Sequence, residues 1–162
     1  ADTRVRDHNN KTALMGAAKK GHLGIVRMLI HADADINARD NKGRTALMRA
    51  ALLGWTDVVA YLLEHGAEVD ARDEQGRTAL MEAVNAFKPE IVEQLLHAGA
   101  QINAEDNRGC TALMRAAYIG YPGMVSFLLE HGADKTHADY EGNLTIHYVR
   151  KECFEDLKHL LK

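Results

Sequence analysis

The side chains best suited to chemistry in this sequence are nine histidines, two cysteines and twenty lysines and arginines. Their spacing decides what they could do. Zinc requires several His or Cys ligands converging on one point. His65 and His131 occupy matching places in the second and fourth blocks of the chain, with His31 and His97 one residue earlier in theirs, so the rings are spread apart rather than clustered. Each falls near a predicted helix C-terminus, where a cation complements the helix dipole. Cys110 lies beside a predicted turn tip, where it can be exposed, and Cys153 stands where a small residue separates two helices. A nucleophilic thiol needs a positioned base, and no spacing here supplies one. The run Gly16-Ala-Ala-Lys-Lys-Gly21 opens like a phosphate-binding loop, but it continues with His22-Leu23 instead of Lys-Ser/Thr and follows no strand. No catalytic, metal or cofactor constellation emerges, so the chain is read as a binding protein and not an enzyme.

Composition supports that reading. The 162 residues are 46 % apolar and 27 % charged, the balance of a soluble globular chain of about one domain. A net charge of −3 gives no general argument for nucleic acid or an anionic membrane. Aromatics make up only 6 %, so Ala, Leu, Ile, Val and Met must fill the core. No run approaches the roughly 18 apolar residues of a membrane span. The opening Ala-Asp-Thr-Arg-Val-Arg is not a signal peptide, and two cysteines make no disulfide framework. An intracellular setting, cytoplasmic or nuclear, is expected.

The elements that must position any site repeat in register. Asp7, Asp40, Asp73, Asp106 and Asp139 fall 33 residues apart. Each opens a similar block, as in DNKGRTALMRAA and DNRGCTALMRAA, followed by a second run such as VVAYLLEHGAEVDA. Leu47, Ala50 and Ala51 share one helix face at i, i+3, i+4, and Val59, Leu62 and Leu63 share another, with Gly54-Trp55 as the stop between them. Every block therefore predicts a helix–turn–helix pair, the first helix short and Ala-rich. Gly66 is placed at a helix C-terminus and Gly76 at a turn tip, both positions that favour positive φ. Repeat one uses Asp33 and Asn10 at these places, the residues that tolerate this conformation best after glycine.

The period, the Gly-x-Thr-Ala-Leu-Met-x-Ala runs and the Gly-Ala-Asp/Glu endings resemble ankyrin repeats, in register over essentially the whole chain. The resemblance implies an all-α solenoid of stacked helix–turn–helix pairs joined by β-hairpin-like turns. Residues 7–39, 40–72, 73–105 and 106–138 form four repeats, 139–162 a shortened fifth that caps the C-terminus, and 1–6 the tail of a preceding repeat or a linker. The family's Thr-Pro-Leu-His appears as Thr-Ala-Leu-Met in four repeats, so packing of Met15, Met48, Met81 and Met114 must replace whatever that histidine does; only His147 keeps it. Repeat three has Phe87 where glycine is usual, and Pro89 opens its second helix. The final helix is charged on one side, as a cap should be. The first repeat reads like an internal unit, and Ala1-Asp2 occupies the register of Ala34-Asp35. The chain is accordingly read as cut from a longer array or built to begin there, exposing Leu14, Leu23 and Met28.

In resembling proteins, partners are held by the turn tips, the exposed side of the first helix and the residue before each repeat. Transferred to this sequence, those places hold Arg39 and Arg72 before repeats, and Lys42, Arg44, Arg77 and Arg108 around turn tips. Arg49, Glu82 and Arg115 fall at one exposed place on the first helices, with Leu52-Leu53 and Tyr118-Ile119 beyond. Charged tips alone would serve solubility, but two apolar pairs ringed by arginine go further, and Arg and Tyr are frequent interface hot spots. Residues 1–72 carry 11 Lys/Arg and 9 Asp/Glu, against 9 and 14 in residues 73–162. The expected ligand is thus a protein or peptide with acidic and apolar side chains, its acidic end toward repeats one and two, bound by a chain that is monomeric alone. The alternative is an anionic small ligand or oligonucleotide, held through Arg39, Lys42, Arg44, Arg72 and Arg77. No membrane contact and no cofactor are expected.

Overall fold

Residue type fixes the start of each α-helical first member before packing does. Thr12, Thr45, Thr78 and Thr111 are extended N-caps whose hydroxyls accept the backbone N–H of Met15, Met48, Met81 and Met114 at 3.3–3.4 Å. Such caps satisfy donors that no helical carbonyl can reach. They open α1 (Ala13–Lys20), α3 (Ala46–Leu53), α5 (Ala79–Asn85) and α7 (Ala112–Ile119). The four methionines are buried, so packing does occupy the place of the family's histidine. After each first helix the chain reverses into α2 (Leu23–His31), α4 (Thr56–Glu64), α6 (Pro89–His97) and α8 (Pro122–Glu130). Pro89 and Pro122 sit in first turns, where a missing N–H costs no intrahelical bond.

The computed structural model describes residues 3–162, so the register of Ala1-Asp2 lies outside the described residues. Within them the protein is an all-α solenoid: α1, α3, α5 and α7 pack successively, and each also packs on its own second helix. Paired alanines such as Ala50-Ala51 and Ala116-Ala117 are completely buried between first helices, where a larger side chain would force them apart. The second helices supply bulk, with Val58, Val59 and Leu62 of α4 matched by Ile91, Val92 and Leu95 of α6. Among the described residues there is no β-sheet, only isolated antiparallel bridges Arg6–Thr12 and Ala138–Leu144. The turns instead form a ladder between repeats: Glu74 N–H donates to Lys42 O at 3.0 Å, and Asn107 N–H to Gln75 O at 2.9 Å.

Backbone conformation follows the sequence, with one costly departure. Gly66 and Gly76 have positive φ, as do their counterparts Asp33 and Asn10. The turn between helices also uses a left-handed residue, and at Gly21 a Cβ would come within 2.5 Å of the Trp55 ring. In repeat three Phe87 holds that conformation, at φ 56°, despite its Cβ. A left-handed bulky residue costs about 1–2 kcal/mol. Its ring is placed 4.9 Å from that of Tyr121, a contact glycine could not make.

Three expectations change at the ends and in a turn. The fifth repeat has no α-helical first member. It carries 3₁₀ turns at Thr145–Tyr148 and Lys151–Cys153, then α9 (Phe154–Leu161); Leu144-Thr145-Ile146 stands where Thr-Ala-Leu opens the other first helices, so the N-cap is Leu144, which has no hydroxyl. Leu14 is buried between helices and is not exposed, whereas Met28 is exposed and Leu23 half-buried. Ile25, not singled out from sequence, is exposed where its counterparts Val58, Ile91 and Met124 are buried. Cys110, read as a residue open to exposure, is buried: its backbone is tied to Asp106 and its sulfur lies 3.1 Å from the Tyr148 hydroxyl. Cys153 is half-buried against Gly120.

Candidate functional site

The repeating aspartate organises the face made by turns and first helices. Asp40 Oδ1 accepts the N–H groups of Lys42 and Arg44, each at 2.9 Å, which closes the turn. Asp73, Asp106 and Asp139 make the same two bonds in their own repeats. Oδ2 is left to face the first helix of the same repeat, nine residues on. In repeat two Arg49 occupies that place and pairs with Asp40, joined by Arg44, whose Nε donates to it at 3.1 Å. In repeat three the residue is Glu82, an acid facing an acid. Arg77 resolves the conflict by donating to Asp73 at 2.7 and 2.9 Å while its other nitrogen reaches Glu82 at 3.1 Å. In repeat four Arg115 takes Asp106 at 2.6 Å, and in repeat five the Tyr148 hydroxyl takes Asp139.

Protonation follows this geometry. Burial works against the Asp40 carboxylate, but the Arg44 and Lys42 N–H groups and the Arg44 guanidinium outweigh it and hold its pKa below the ordinary value. The Tyr148 hydroxyl, with backbone N–H groups behind it, pulls Asp139 well below the carboxylate range. Burial, then the Asp139 and Cys110 contacts, pushes Tyr148 far up, so it is a donor at every physiological pH.

Two of the expected contact residues therefore have another job. Arg49 is 8 % exposed and Glu82 4 %, so neither projects from the first helix as sequence position alone suggested. Arg44 and Arg77 are half-buried in the same pairs. Arg39 and Arg72 are exposed but committed as well. The Arg39 guanidinium donates to Arg72 O at 2.8 Å, Arg72 to Glu105 O, and Arg6 to Arg39 O at 3.1 Å, stapling each repeat to the next. Of the five cations that would make a phosphate site, four are engaged within turns or between repeats and only Lys42 has no such structural role.

The remaining positions collect in two depressions. One, of about 300 Å³, brings together Arg44, Arg49, Leu52, Leu53, Arg77 and Glu82, with Lys11 and Lys19 added. Leu52 and Leu53 are 44 % and 45 % exposed at the end of a helix otherwise buried. The second, of about 750 Å³, gathers Arg108, Arg115, Tyr118 and Ile119, with Tyr118 60 % exposed. Arg39, Lys42 and Arg72 line neither. Sequence reasoning missed the second wall of the larger depression, His147 to Lys151 in the fifth repeat, because the degenerate repeat hides its register. Two of the histidines at helix ends are tied to their own helices. His65 Nδ1 donates to Tyr61 O at 2.8 Å and stacks on that ring, as His131 does on Phe127. Among the described residues no group of three or more His, Cys, Asp or Glu could hold a metal ion, and no helix is long and apolar enough to cross a membrane.

A stack of capped helix pairs, stapled through its turns and carrying its irregular side chains on one face, defines a repeat solenoid. The family model described as ankyrin repeats (3 copies) matches residues 14–106 and 80–162, and the chain belongs to the ankyrin-repeat family. Ankyrin repeats are in general protein–protein interaction modules. A search of curated proteins finds no match to the chain.

Proposed function

We propose that the protein is a binding module, an adaptor, scaffold or inhibitor without catalysis of its own, that receives a protein partner along its turns and first helices. The observation that carries this is the exposure of Leu52, Leu53 and Tyr118 at corresponding ends of α3 and α7, while the rest of those helices is closely packed. A rigid scaffold presenting preformed apolar anchors loses little ordering entropy on association. Lys42 and Arg108, exposed at turn tips, supply rim charge that steers an acidic partner. The fit is to a protein segment with acidic and apolar side chains.

The test is affinity capture by the wild type beside Leu53→Ala and Tyr118→Ala, with melting curves in parallel. Each change is expected to cost about 1–3 kcal/mol of binding and to move stability by no more than about 0.5 kcal/mol. A partner that stays bound after both changes, or leaves only when the protein unfolds, contradicts the reading. A melting shift with nucleotides or oligonucleotides and none with protein would favour the anionic-ligand alternative.

A further inference from the structure

At the position of Arg44 and Arg77, the fourth repeat carries Cys110. In repeats two and three the guanidinium at this place lies on the repeat's own aspartate and fills the angle between turn and first helix. Cys110 keeps the backbone bond to Asp106 at 3.0 Å but has no side chain to fill that angle, and its sulfur turns to Tyr148. The fifth repeat, 3₁₀ instead of α here, forms the opposite wall. The 750 Å³ depression is thus the product of one substitution and one degenerate repeat. Its size is that of a ligand pocket.

The lining is one-sided in its chemistry. Asp106 is its only acid, and both oxygens are taken, Oδ1 by the Arg108 and Cys110 N–H groups and Oδ2 by Arg115. Arg108 and Lys151 are exposed at the mouth. Arg150 donates to Ile119 O at 2.8 Å and places its guanidinium 6.0 Å from the Tyr118 ring centre. His147 Nδ1 accepts the Leu144 N–H at 3.0 Å, which leaves the proton of the neutral ring on Nε2 as a further donor. Tyr118, Ile119 and Val149 supply an apolar wall beside these cations. This cationic pocket lies in the half of the chain that carries excess acid, so its charge is local and complementary to an anion with an apolar neighbour.

We infer that the depression between repeats four and five takes a Glu or Asp side chain together with the adjoining bulky apolar side chain of a protein partner. The inference rests on the binding-module reading above and names what one end of that surface recognises. The carboxylate sits among Arg108, Lys151 and the His147 Nε2–H, with the apolar side chain against Tyr118 and Val149. Charge-assisted hydrogen bonds favour the carboxylate over its amide isostere.

Backbone-amide NMR of the full chain reads this directly, using three capped peptides: Gly-Gly-Glu-Phe-Glu-Gly-Gly, its Gln-Phe-Gln counterpart and its Glu-Gly-Glu counterpart. The first is expected to shift Tyr118, His147 and Arg150 and to bind about tenfold more tightly than either control. Cys110→Arg restores the pattern of repeats two and three, so it is expected to abolish those shifts without lowering the melting temperature. If Cys110→Arg melts early, the pair Arg108→Glu and Lys151→Glu, both exposed, is expected to reverse the preference in favour of a Lys-Phe-Lys peptide. Equal binding of the Glu and Gln peptides, shifts confined to Leu52 and Leu53, or a stronger response to AMP at the same amides would each overturn the assignment. Shifts confined to Leu52 and Leu53 would leave the binding-module reading standing. Cavity shifts in a protein whose captured partner ignores Leu53→Ala, which lies outside this depression, would instead contradict only the wider reading's anchor at Leu53.

Discussion

Repeats two and four share a turn, a capped first helix and a central aspartate, yet one is closed over that aspartate and the other stands open. Asp40 receives Arg44 and Arg49, while Asp106 receives Arg115 alone because Cys110 replaces the other arginine. The difference teaches that one set of repeat positions serves two purposes. Where the ion pair is complete the position is framework, and where it is incomplete the same position borders a cavity.

The largest effect should come from breaking the closed case. Asp40→Ala removes the acceptor for two turn N–H groups and strands Arg49, whose side chain is only 9 % exposed. Leaving one member of a buried pair uncompensated costs about 3–5 kcal/mol, so urea unfolding of this variant should show a loss of that size. Asp7→Ala, at an exposed turn without a guanidinium partner, should cost far less. Equal losses would mean that the turn bonds and not the ion pairs hold the repeats together.

Titration examines the same contrast more gently. The pKa of Asp40 is lowered in the folded state, so its contribution is fully present above the ordinary carboxylate value near pH 4 and is lost as pH falls through the lowered folded value. Asp139, lowered through Tyr148, has the same sign. The melting temperature should therefore hold from neutral pH to about 4.5 and fall below about 4. A decline beginning above pH 6 would point to histidines instead.

The smallest effect concerns repeat three, which departs from both. Phe87→Gly relieves a left-handed bulky residue but gives up the contact with Tyr121. The net gain is expected to be about 1 kcal/mol or less, read as a small rise in the urea midpoint. A clear loss would show that the aromatic pair outweighs the backbone strain.

The fold was legible in sequence because its determinants are local and repeat: threonine caps, alanine faces and positive-φ sites recur every 33 residues. Apolar members of the candidate site were legible for the same reason, since Leu52-Leu53 and Tyr118-Ile119 fall at helix ends facing outward. Arg49 and Glu82 were misplaced because burial of a charged side chain depends on its partner across the turn, Asp40 for Arg49 and Arg77 for Glu82, and periodicity assigns charge to solvent. The staples from Arg39 and Arg72 join residues 33 apart, a relation between repeats that a single block does not display. The wall from His147 to Lys151 lay hidden because Leu144-Thr145-Ile146 replaces the Thr-Ala-Leu signal. Cys110 in the slot of Arg44 and Arg77 was the one available clue to the cavity.

Hydroxyl-radical footprinting of the protein, free and bound to its captured partner, tests the central claim most directly, because it reads side-chain exposure residue by residue. Leu52, Leu53 and Tyr118 are exposed on the face proposed to bind, and Met28 and Trp55 are exposed elsewhere. The account predicts that the partner protects the first three and leaves Met28 and Trp55 as reactive as before. Protection of Met28 and Trp55, with Leu53 and Tyr118 unchanged, would contradict it.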